Sequence, residues 1–431
     1  MPTPAASTTT IVPSRRAAGR VTVPGDKSIS HRYAMLAALA EGTTTIRGYS
    51  TGFDCRTTLA CVRSLGASVD WTPDVVRITG RGLSAPSAPL DCENSGTTMR
   101  LLAGIAAGHP FATTFTGDAS LRRRPMRRVI APLTAMGARI DSHEGRAPFT
   151  VHGTALRGIA HAPEVPSAQI KSCVLLAGLL AEGTTTVEEP TPTRDHTERA
   201  IQTFKGRVEI EPGAVSIDGG QRLAAQDLVV PGDISGAAFW CALAAGTPGG
   251  SIVIDGVGLN PTRTALLGIL ERAGARVTVT PGAGSDSEPS GAIQVECADW
   301  NSFVIEPDEV PGVINEIPAL AALAAMMPEG RTLTVRGAGE LRVKESDRIS
   351  ALAAGFRAMG SEVSESDDGF MLTAQPLRGA IVDPAHDHRL AMAFAIAATR
   401  ADRSVTIVGS EVAAVSYPEF MDTLMRVTQE D

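Results

Sequence analysis

One pattern recurs along the chain and limits what it can fold into. An Ala/Leu-rich segment with helical apolar spacing runs into a glycine and then into a β-branched segment, which predicts a helix, a turn and a strand. Three copies are close: LAALAEGTTTIRG at Leu36, LLAGLLAEGTTTVEE at Leu175 and LAAMMPEGRTLTVRG at Leu323. Looser copies begin at Leu102, Trp240 and Phe394. The chain therefore contains six ordered copies of one α/β element.

A second predicted helix follows most copies and ends in a shared tag. The tags are VRSLGASVD at Val62, LTAMGARID at Leu133, LERAGARVTV at Leu270 and FRAMGSEVSE at Phe356. The glycine in each tag is typical of the position just after a helix, where the chain turns with a positive φ. The third copy has only the shortened TFKGRVEI, and the sixth ends with the chain.

The period of roughly 65–80 residues is longer than that of a solenoid repeat, so we expect duplicated α/β subdomains. Six repeats predict two lobes of three. One lobe would span residues 24–231 with repeats 1–3, and the other residues 1–23 and 232–431 with repeats 4–6. The segment VPG occurs at both crossovers, and a hinge is expected near residues 23–25 and 230–233.

Each long helix is expected to begin with a polar cluster. The six clusters are DKSISHR from Asp26, NSGTTMR from Asn94, SAQIKS from Ser167, DISGAAF from Asp233, NEIPAL from Asn315 and DHRLAM from Asp387. A helix start presents unpaired N–H groups and a partial positive charge, which attract anions. If the repeats are pseudo-symmetric, two lobes would surround a cleft with electropositive helix ends.

Cations strengthen this expectation. Arg124 lies in SLRRRPMRR, and Lys344 and Arg348 flank Glu345 in LRVKESDR. Such strings are usually surface ion pairs, and the Arg122–Arg128 run could also be a solvated face or a nucleic-acid patch. Because these cations are all expected near the starts of helices, together they favour a site for a small ligand with several negative charges.

Composition excludes several classes of protein. The net charge of −8 argues against a general nucleic-acid binder, but it does not exclude an anionic substrate. The longest apolar runs, Cys173–Ala181 and Leu390–Ala398, are too short to span a bilayer and predict buried helices. The N-terminal segment does not resemble a secretory signal. Six scattered cysteines predict free, buried thiols in a reducing cytoplasm, without a metal or disulfide.

The motifs together resemble the EPSP synthase (3-phosphoshikimate 1-carboxyvinyltransferase) family of enolpyruvyl transferases. The resemblance runs from about Gly19 to Arg426 and holds in family order. It rests on PGDKSISHR, NSGTTMRLL, GDASLRRRPM, SAQIKS, TRDHTER, PGDISGAAF, NPTR, LRVKESDR, DHRLAMAFA and SYPEF. It implies two lobes, each of three βαβαββ-like units, that close on substrate.

Carried over residue by residue, the resemblance implies two substrate sites and no cofactor. Shikimate 3-phosphate would contact Lys27, Ser28, Arg32, Ser167, Ala168, Gln169, Arg194, Asn315 and Lys344. Phosphoenolpyruvate would contact Lys27, Gly96, Arg124, Gln169, Arg348 and Arg389. Arginine forks suit carboxylates and phosphates, and Gly96 at a helix start lets the backbone approach an anion.

The implied reaction adds the 5-hydroxyl of shikimate 3-phosphate to C2 of phosphoenolpyruvate and then expels phosphate. It lies in the shikimate pathway to chorismate and the aromatic amino acids. It needs proton transfer at the methylene carbon and at the hydroxyl. Glu345 is the candidate at the carbon, and Lys27 could assist at the hydroxyl and the departing phosphate.

Three positions depart from the family pattern. Asn315 stands where the family has the Asp that is usually assigned as proton acceptor, and an amide cannot take that proton into a stable state. Glu316 is adjacent and is a possible substitute. Glu93 replaces a usual Gly, and Val415 stands where some members have a Lys.

These departures leave alternatives open. The chain could be a catalytically impaired homologue, or an enolpyruvyl transferase for another acceptor, such as a nucleotide. A sister enzyme acting on UDP-N-acetylglucosamine is disfavoured, because the arm around Leu121–Met126 has no Cys. The resemblance also implies inhibition by glyphosate and a cytoplasmic monomer that binds neither membrane nor nucleic acid.

Overall fold

The computed structural model describes residues 7–72, 74–282 and 287–429. Residues 1–6, 283–286 and 430–431 of the lobe expected from both chain ends lie outside this part. Among the described residues, none of the helices has the length and apolar character that crossing a membrane requires. All six cysteines are free thiols in this part of the chain, and Cys297 alone among them is half-buried rather than buried.

The chain forms two compact units. The first lobe is Gly25–Val230, and the second lobe combines Met1–Pro24 with Pro231–Asp431. Each has its own core of aliphatic side chains and Ala-rich helices.

In the first lobe, helices and strands alternate along the chain. The helices are α1 (Lys27–Leu39), α2 (Phe53–Ser64), α3 (Gly96–Ala107), α4 (Ala119–Arg123), α5 (Arg127–Ala135), α6 (Ala168–Gly178) and α7 (His196–Thr203). The strands are β3 (Gly42–Arg47), β4 (Ser68–Trp71), β5 (Val75–Gly80), β6 (Leu90–Asp91), β7 (Ala112–Thr116), β8 (Arg139–His143), β9 (Arg146–His152), β10 (Ala160–His161), β11 (Thr184–Glu188), β12 (Glu209–Glu211), β13 (Ala214–Asp218) and β14 (Asp227–Val229).

The second lobe draws on both ends of the chain. Its helices are α8 (Ile234–Gly246), α9 (Ala265–Arg272), α10 (Val310–Val313), α11 (Ile317–Met326), α12 (Arg348–Ala358), α13 (His388–Ala398) and α14 (Phe420–Thr428), with 3₁₀ turns at Gly339–Val343 and Ser410–Val415. Its strands are β1 (Thr8–Ile11), β2 (Ala18–Thr22), β15 (Ser251–Gly258), β16 (Arg276–Pro281), β17 (Ser290–Glu296), β18 (Phe303–Ile305), β19 (Thr332–Val335), β20 (Glu362–Ser366), β21 (Gly369–Thr373), β22 (Ile381–Val382) and β23 (Val405–Val408).

The predicted repeat is confirmed in the sheets. In the sheet β6-β7-β9-β8, β6 pairs with β7 in parallel, and the other two pairings are antiparallel. The chain order of that repeat is β6-α3-β7-α5-β8-β9, with the short α4 inserted, which is the expected βαβαββ pattern. Four further sheets repeat the order of pairings: β14-β3-β5-β4, β10-β11-β13-β12, β2-β15-β17-β16 and β18-β19-β21-β20.

The sixth sheet is smaller, with three strands in the described part of the chain. Its order is β22-β23-β1, and the antiparallel partner of β23 comes from the start of the chain, with Thr8 opposite Val408. Residues near the N-terminus therefore supply the antiparallel strand of the sixth sheet.

The shared tags end helices as predicted. Gly66, Gly137, Gly274 and Gly360 all have φ between 102° and 111°, the conformation that a side chain disfavours. In the shortened third copy, Lys205 takes the equivalent turn after α7 with φ 70°, although it is not a glycine. The six long helices also begin at the predicted polar clusters.

Candidate active site

The first helix of the first lobe begins with an N-cap residue, Asp26, followed directly by a cation, Lys27. Asp26 precedes α1 and accepts a hydrogen bond from the N–H of Ile29 at 3.0 Å. Lys27 is the first residue of α1, and its ammonium group forms an ion pair with the carboxylate of Asp54 on α2. Ser28 follows and is half-buried. This places a fixed positive charge at the electropositive end of the helix.

Arg32 lies one turn further along α1 and is buried. Its Nε donates to the Thr197 hydroxyl at 2.7 Å, and its Nη2 donates to the Ser172 hydroxyl at 2.7 Å. Its Nη1 donates to the carbonyl of Ser28 at 2.9 Å. The guanidinium is thus oriented by groups on α1, α6 and α7, which are far apart in sequence.

The starts of α3 and α6 are joined through Gln169. Its amide oxygen accepts from Nη1 of Arg100 at 2.8 Å, and its amide nitrogen donates to the Thr97 hydroxyl at 3.0 Å. Ser167 caps α6, and Ala168 is the first residue of that helix. Arg124 is buried at the end of α4 and donates to the amide oxygen of Asn94 at 2.8 Å.

Gly96 begins α3 between two of these cations. A Cβ at this position would lie 2.6 Å from Nη1 of Arg100 and 3.3 Å from Nη1 of Arg124. The first distance is too short for any side chain unless Arg100 moves. The absence of a side chain at Gly96 therefore lets both guanidinium groups lie close to the start of α3, where anions are favoured.

A chain of buried neutral groups crosses the same lobe. Nδ1 of His31 is 2.6 Å from the Thr58 hydroxyl, which is 2.6 Å from the Thr98 hydroxyl, which is in turn 2.6 Å from the Ser95 hydroxyl. Burial, and then the charges of Lys27 and Arg32, lower the pKa of His31 well below its ordinary value. The imidazole is neutral, and the chain links α1 to the cap of α3.

In the second lobe, the start of α12 holds an arginine between two carboxylates. Nε of Arg348 donates to Asp387 at 2.7 Å, and its Nη2 donates to Glu345 at 2.5 Å. Burial lowers the pKa of Arg348, but Asp387 and Glu345 outweigh burial and raise it above the ordinary value. Arg348 is therefore permanently charged, and it orients the Glu345 carboxylate.

Arg389 lies beside this pair, on the first turn of α13, and its environment differs. It is buried, and its Nη1 donates to the backbone carbonyl of Asn315 at 3.2 Å. Burial and the neighbouring charge of Arg348 lower its pKa, which Glu316, Asp233 and Glu345 partly offset. An anion placed against this guanidinium would relieve the electrostatic cost.

Glu316 is not placed like a substitute for the missing Asp. It is fully buried; it accepts from the Ser235 hydroxyl and lies 3.4 Å from Nη2 of Arg263. A carboxylate held this way is part of the interior of the lobe.

The predicted residues fall into two groups, one in each lobe. The first lobe holds Lys27, Ser28, Arg32, Gly96, Arg124, Ser167, Ala168, Gln169 and Arg194. The second holds Asn315, Lys344, Glu345, Arg348 and Arg389. Arg194 lies two residues before α7, and Lys344 directly follows the 3₁₀ turn Gly339–Val343; both are half-buried.

Sequence reasoning missed Arg100 and Arg263. Arg100 lies four residues after Gly96 on α3, one helical turn away, and that spacing was the available signal. Arg263 ends the NPTR motif, but only its partners in space give it a role.

The departure at Glu93 has a local backbone setting, whereas nothing in the structure explains the one at Val415. Glu93 has φ 47°, a conformation that explains a preference for Gly at this position. Its side chain is exposed and accepts from the Thr57 hydroxyl at 2.9 Å. Val415 ends the second 3₁₀ turn and is half-buried.

Within the described ranges, no cluster of three or more His, Cys, Asp or Glu side chains could hold a metal ion. The arginine and lysine side chains at these positions have the chemistry that binds carboxylates and phosphates.

The repeated βαβαββ sheets, with cationic side chains at the helix starts, match the enolpyruvyl transferase fold. A family model for EPSP synthase (3-phosphoshikimate 1-carboxyvinyltransferase) matches residues 11–424. The chain is 50% identical over 413 residues to the 3-phosphoshikimate 1-carboxyvinyltransferase of Acidithiobacillus ferrooxidans, covering 95% of each chain. It is 46% identical over 424 residues to the protein of the same name from Solibacter usitatus, covering 97% of this chain and 99% of that one.

A solved EPSP synthase from Acinetobacter baumannii superposes with a TM-score of 0.86 at 41% identity, and the match covers 98% of both chains. The chain belongs to the EPSP synthase family, as its motifs predicted.

Proposed function

We propose that this chain transfers the enolpyruvyl group of phosphoenolpyruvate to the 5-hydroxyl of shikimate 3-phosphate, yielding 5-enolpyruvylshikimate 3-phosphate and phosphate, in the shikimate pathway. The observation that carries the proposal is the joint placement of Glu345, Arg348 and Arg389 at adjoining helix starts. A carboxylate oriented for proton transfer stands beside a buried cation that an anion would stabilise.

Phosphoenolpyruvate is held by guanidinium groups in this proposal. Arg389 and Arg348 bind its carboxylate, while Arg124, Lys27 and the backbone of Gly96 receive its phosphate, with Gln169 alongside. Arg100 joins this set because it is close to Gly96 and bonded to Gln169. Forked, charge-assisted hydrogen bonds give such contacts both strength and direction.

Shikimate 3-phosphate is held mainly by the first lobe. Its phosphate lies against Ser167, Ala168 and Arg194, while Ser28, Arg32 and Gln169 contact the rest of the molecule. Lys344 and the Asn315 amide are the proposed contacts to its hydroxyls. The hydroxyls of Ser172 and Thr197 keep the Arg32 guanidinium in a single orientation.

In the first step, the 5-oxygen bonds to C2 of phosphoenolpyruvate, and its proton leaves. A proton is added to the methylene carbon, which becomes a methyl group in a tetrahedral intermediate. In the second step, that methyl group returns a proton and the C2–O bond to phosphate breaks. Glu345 adds and removes the proton at carbon, while Lys27 assists at the hydroxyl and neutralises the departing phosphate.

Asn315 orients the acceptor hydroxyl but does not take its proton. The hydroxyl proton must therefore pass to a phosphate oxygen of a bound substrate, because the Lys27 ammonium that pairs with Asp54 can only donate, and this makes the step slower than with a carboxylate. Replacing Asn315 with Asp restores an acceptor at the family position, and we expect turnover to rise by roughly 10-fold to 100-fold.

The test is phosphate release from phosphoenolpyruvate and shikimate 3-phosphate by the native protein, Asn315→Asp and Glu345→Gln. We expect native turnover and a loss of about 10²–10⁴-fold in Glu345→Gln. The exposed Glu362→Gln serves as a matched control and should keep native activity. Activity in Asn315→Asp alone would identify an impaired homologue. If neither the native protein nor Asn315→Asp releases phosphate, the enzyme uses another acceptor.

Glyphosate inhibition is a further part of the proposal, since Gly96 leaves room beside Arg100 and Arg124. In Gly96→Ala, the new methyl group displaces the Arg100 guanidinium. We expect the inhibition constant for glyphosate to rise at least tenfold, on the order of 1.4 kcal/mol, and the KM for phosphoenolpyruvate to rise as well. Unchanged inhibition in a folded Gly96→Ala protein would refute this arrangement.

A cytoplasmic monomer stays a prediction, and sedimentation of the purified protein tests the monomeric state.

A further inference from the structure

Arg263 is a buried arginine that the proposed reaction does not use. It follows β15 and precedes α9, at the end of the NPTR segment Asn260–Arg263, and it is 2% exposed. A buried guanidinium is costly unless carboxylates or other acceptors surround it. Its partners therefore indicate what it does.

Nη2 of Arg263 contacts three groups at the starts of two helices. It donates to the Ser235 hydroxyl at 2.8 Å and lies 3.4 Å from Oε1 of Glu316 and 3.5 Å from Oδ1 of Asp233. Ser235 also donates to Glu316. The cluster ties the start of α8 to the residue before α11.

The residue before Glu316 leads directly to the proposed substrate site. The backbone carbonyl of Asn315 accepts the hydrogen bond from Nη1 of Arg389 at 3.2 Å. A path of adjoining contacts thus runs from Arg263 through Glu316 and Asn315 to Arg389. Moving Glu316 would move the carbonyl that orients Arg389.

The charges of the cluster act on Arg389 as well. Glu316 and Asp233 offset part of the lowering of the Arg389 pKa that burial and Arg348 cause. Arg263 contacts both of these carboxylates. It therefore influences the position and the charge environment of Arg389 without touching it.

We propose that Arg263 and Glu316 are positioning residues that aim Arg389 at the carboxylate of phosphoenolpyruvate through the backbone of Asn315. This inference rests on the proposed function, because it assigns Arg389 to phosphoenolpyruvate. A buried ion pair often contributes little net stability compared with apolar residues of similar size. In this proposal, the Arg263–Glu316 pair serves to fix the position of the Asn315 carbonyl and, through it, of Arg389.

Because a buried ion pair contributes little net stability compared with apolar residues, replacing both partners tests whether the pair positions Arg389 or only stabilises the fold. The variants are Arg263→Met, Glu316→Leu and the double variant. Each single change removes one partner of a buried charge, and we expect Tm to fall by about 10 °C. The double variant removes both charges and should recover most of that Tm.

In the double variant, the KM for phosphoenolpyruvate should stay raised even though Tm recovers. We expect the KM for phosphoenolpyruvate to rise at least tenfold in the single variants and to stay raised in the double variant. The KM for shikimate 3-phosphate should rise by a smaller factor, because only one of its proposed contacts, Asn315, lies on this path. The matched control is the more exposed pair Arg272–Glu309 of the same lobe, 2.9 Å apart, changed to Met and Leu. It should leave both KM values unchanged.

Two outcomes would overturn the inference. One is recovery of both Tm and the KM for phosphoenolpyruvate in the double variant, which would make the pair purely structural. The other is an equal rise of both KM values. If the native protein does not turn over these substrates, the proposed function has failed. Calorimetric titration with phosphoenolpyruvate then tests positioning by itself: at least tenfold weaker binding in the double variant supports it, whereas native-like binding contradicts it.

Discussion

The two lobes share one repeated architecture but join their helix starts with different chemistry. In the second lobe, buried charges join them: Arg348 bridges Glu345 and Asp387, and Arg263 meets Glu316. The first lobe also has ion pairs at its helix starts, Lys27 with Asp54 and the buried Lys171 with Glu198, but it adds a neutral chain from His31 through Thr58 and Thr98 to Ser95 that links α1 with α3. Repeating a backbone therefore does not require repeating the side-chain network that holds it.

The two solutions have different weaknesses. A buried ion pair resists changes of pH near neutrality, but loss of one partner leaves a charge in the interior. A neutral chain costs less to bury and loses less when one link is removed, but protonation of its histidine disrupts it. The predictions that follow test this contrast, from the largest expected effect to the smallest.

Arg348→Met should give the largest loss of stability. It leaves Asp387 fully buried without its cation, and we expect the free energy of unfolding to fall by about 3–5 kcal/mol. Urea unfolding followed by circular dichroism measures this. Arg336→Met is the control, because Arg336 and Glu306 form an exposed pair, and its loss should be below about 1 kcal/mol. Equal losses in both variants would contradict the charged solution proposed for the second lobe.

Thr58→Val should cost less. It keeps the shape of the side chain but removes the hydroxyl between His31 and Thr98, so we expect a loss of about 1–3 kcal/mol. The control is Thr43→Val, since Thr43 pairs with Thr79 on an exposed strand surface. Urea unfolding of both variants gives the comparison. A Thr58→Val protein as stable as the Thr43→Val protein would show that the chain does not hold the helices.

Acidification should weaken the first lobe through His31. Its folded-state pKa lies well below the ordinary value, so the unfolded chain binds the proton more readily. The stability is present in full above about pH 6.5 and is lost as pH falls from there toward the folded pKa, by about 1.4 kcal/mol per pH unit. Comparing His31→Gln with native protein at pH 7.5 and 5.5 tests this. The variant should show a shallower fall, whereas His143→Gln, at an exposed histidine, should follow the native protein.

Glu93→Gly should give a small gain. Gly adopts φ 47° without the strain of a side chain, and we expect up to about 1 kcal/mol of added stability. Glu93→Ala keeps the strain and loses the Thr57 contact, so it should not gain. Thermal unfolding distinguishes the two variants. A gain in both would mean that the carboxylate, rather than the backbone, is the unfavourable feature.

Local features of the sequence were enough to predict much of the architecture. Apolar spacing, capping residues and tag glycines act within a few residues of one another, so the six long helices begin at the predicted clusters and the tags end helices where expected. The motifs also predicted the family, which the comparisons confirm. The roles of individual site residues stay predictions.

Long-range pairing decided the rest. The strand that completes the sixth sheet is β1, from the opposite end of the chain, and no local sequence pattern predicts that pairing. Arg32 meets Ser172 across 140 residues, and Arg263 meets Glu316 across 53.

The amino-acid sequence by itself determined the repeat, the helix starts and the family, because each is encoded in short segments. Only the tertiary structure decided which cations are paired with carboxylates, as Arg348 is, and which are buried beside another cation, as Arg389 is. The charge state of a buried group depends on neighbours that the packed fold brings within a few ångströms. Arg348 and Arg389 are the same residue type in the first turns of α12 and α13, and their surroundings give them opposite pKa shifts.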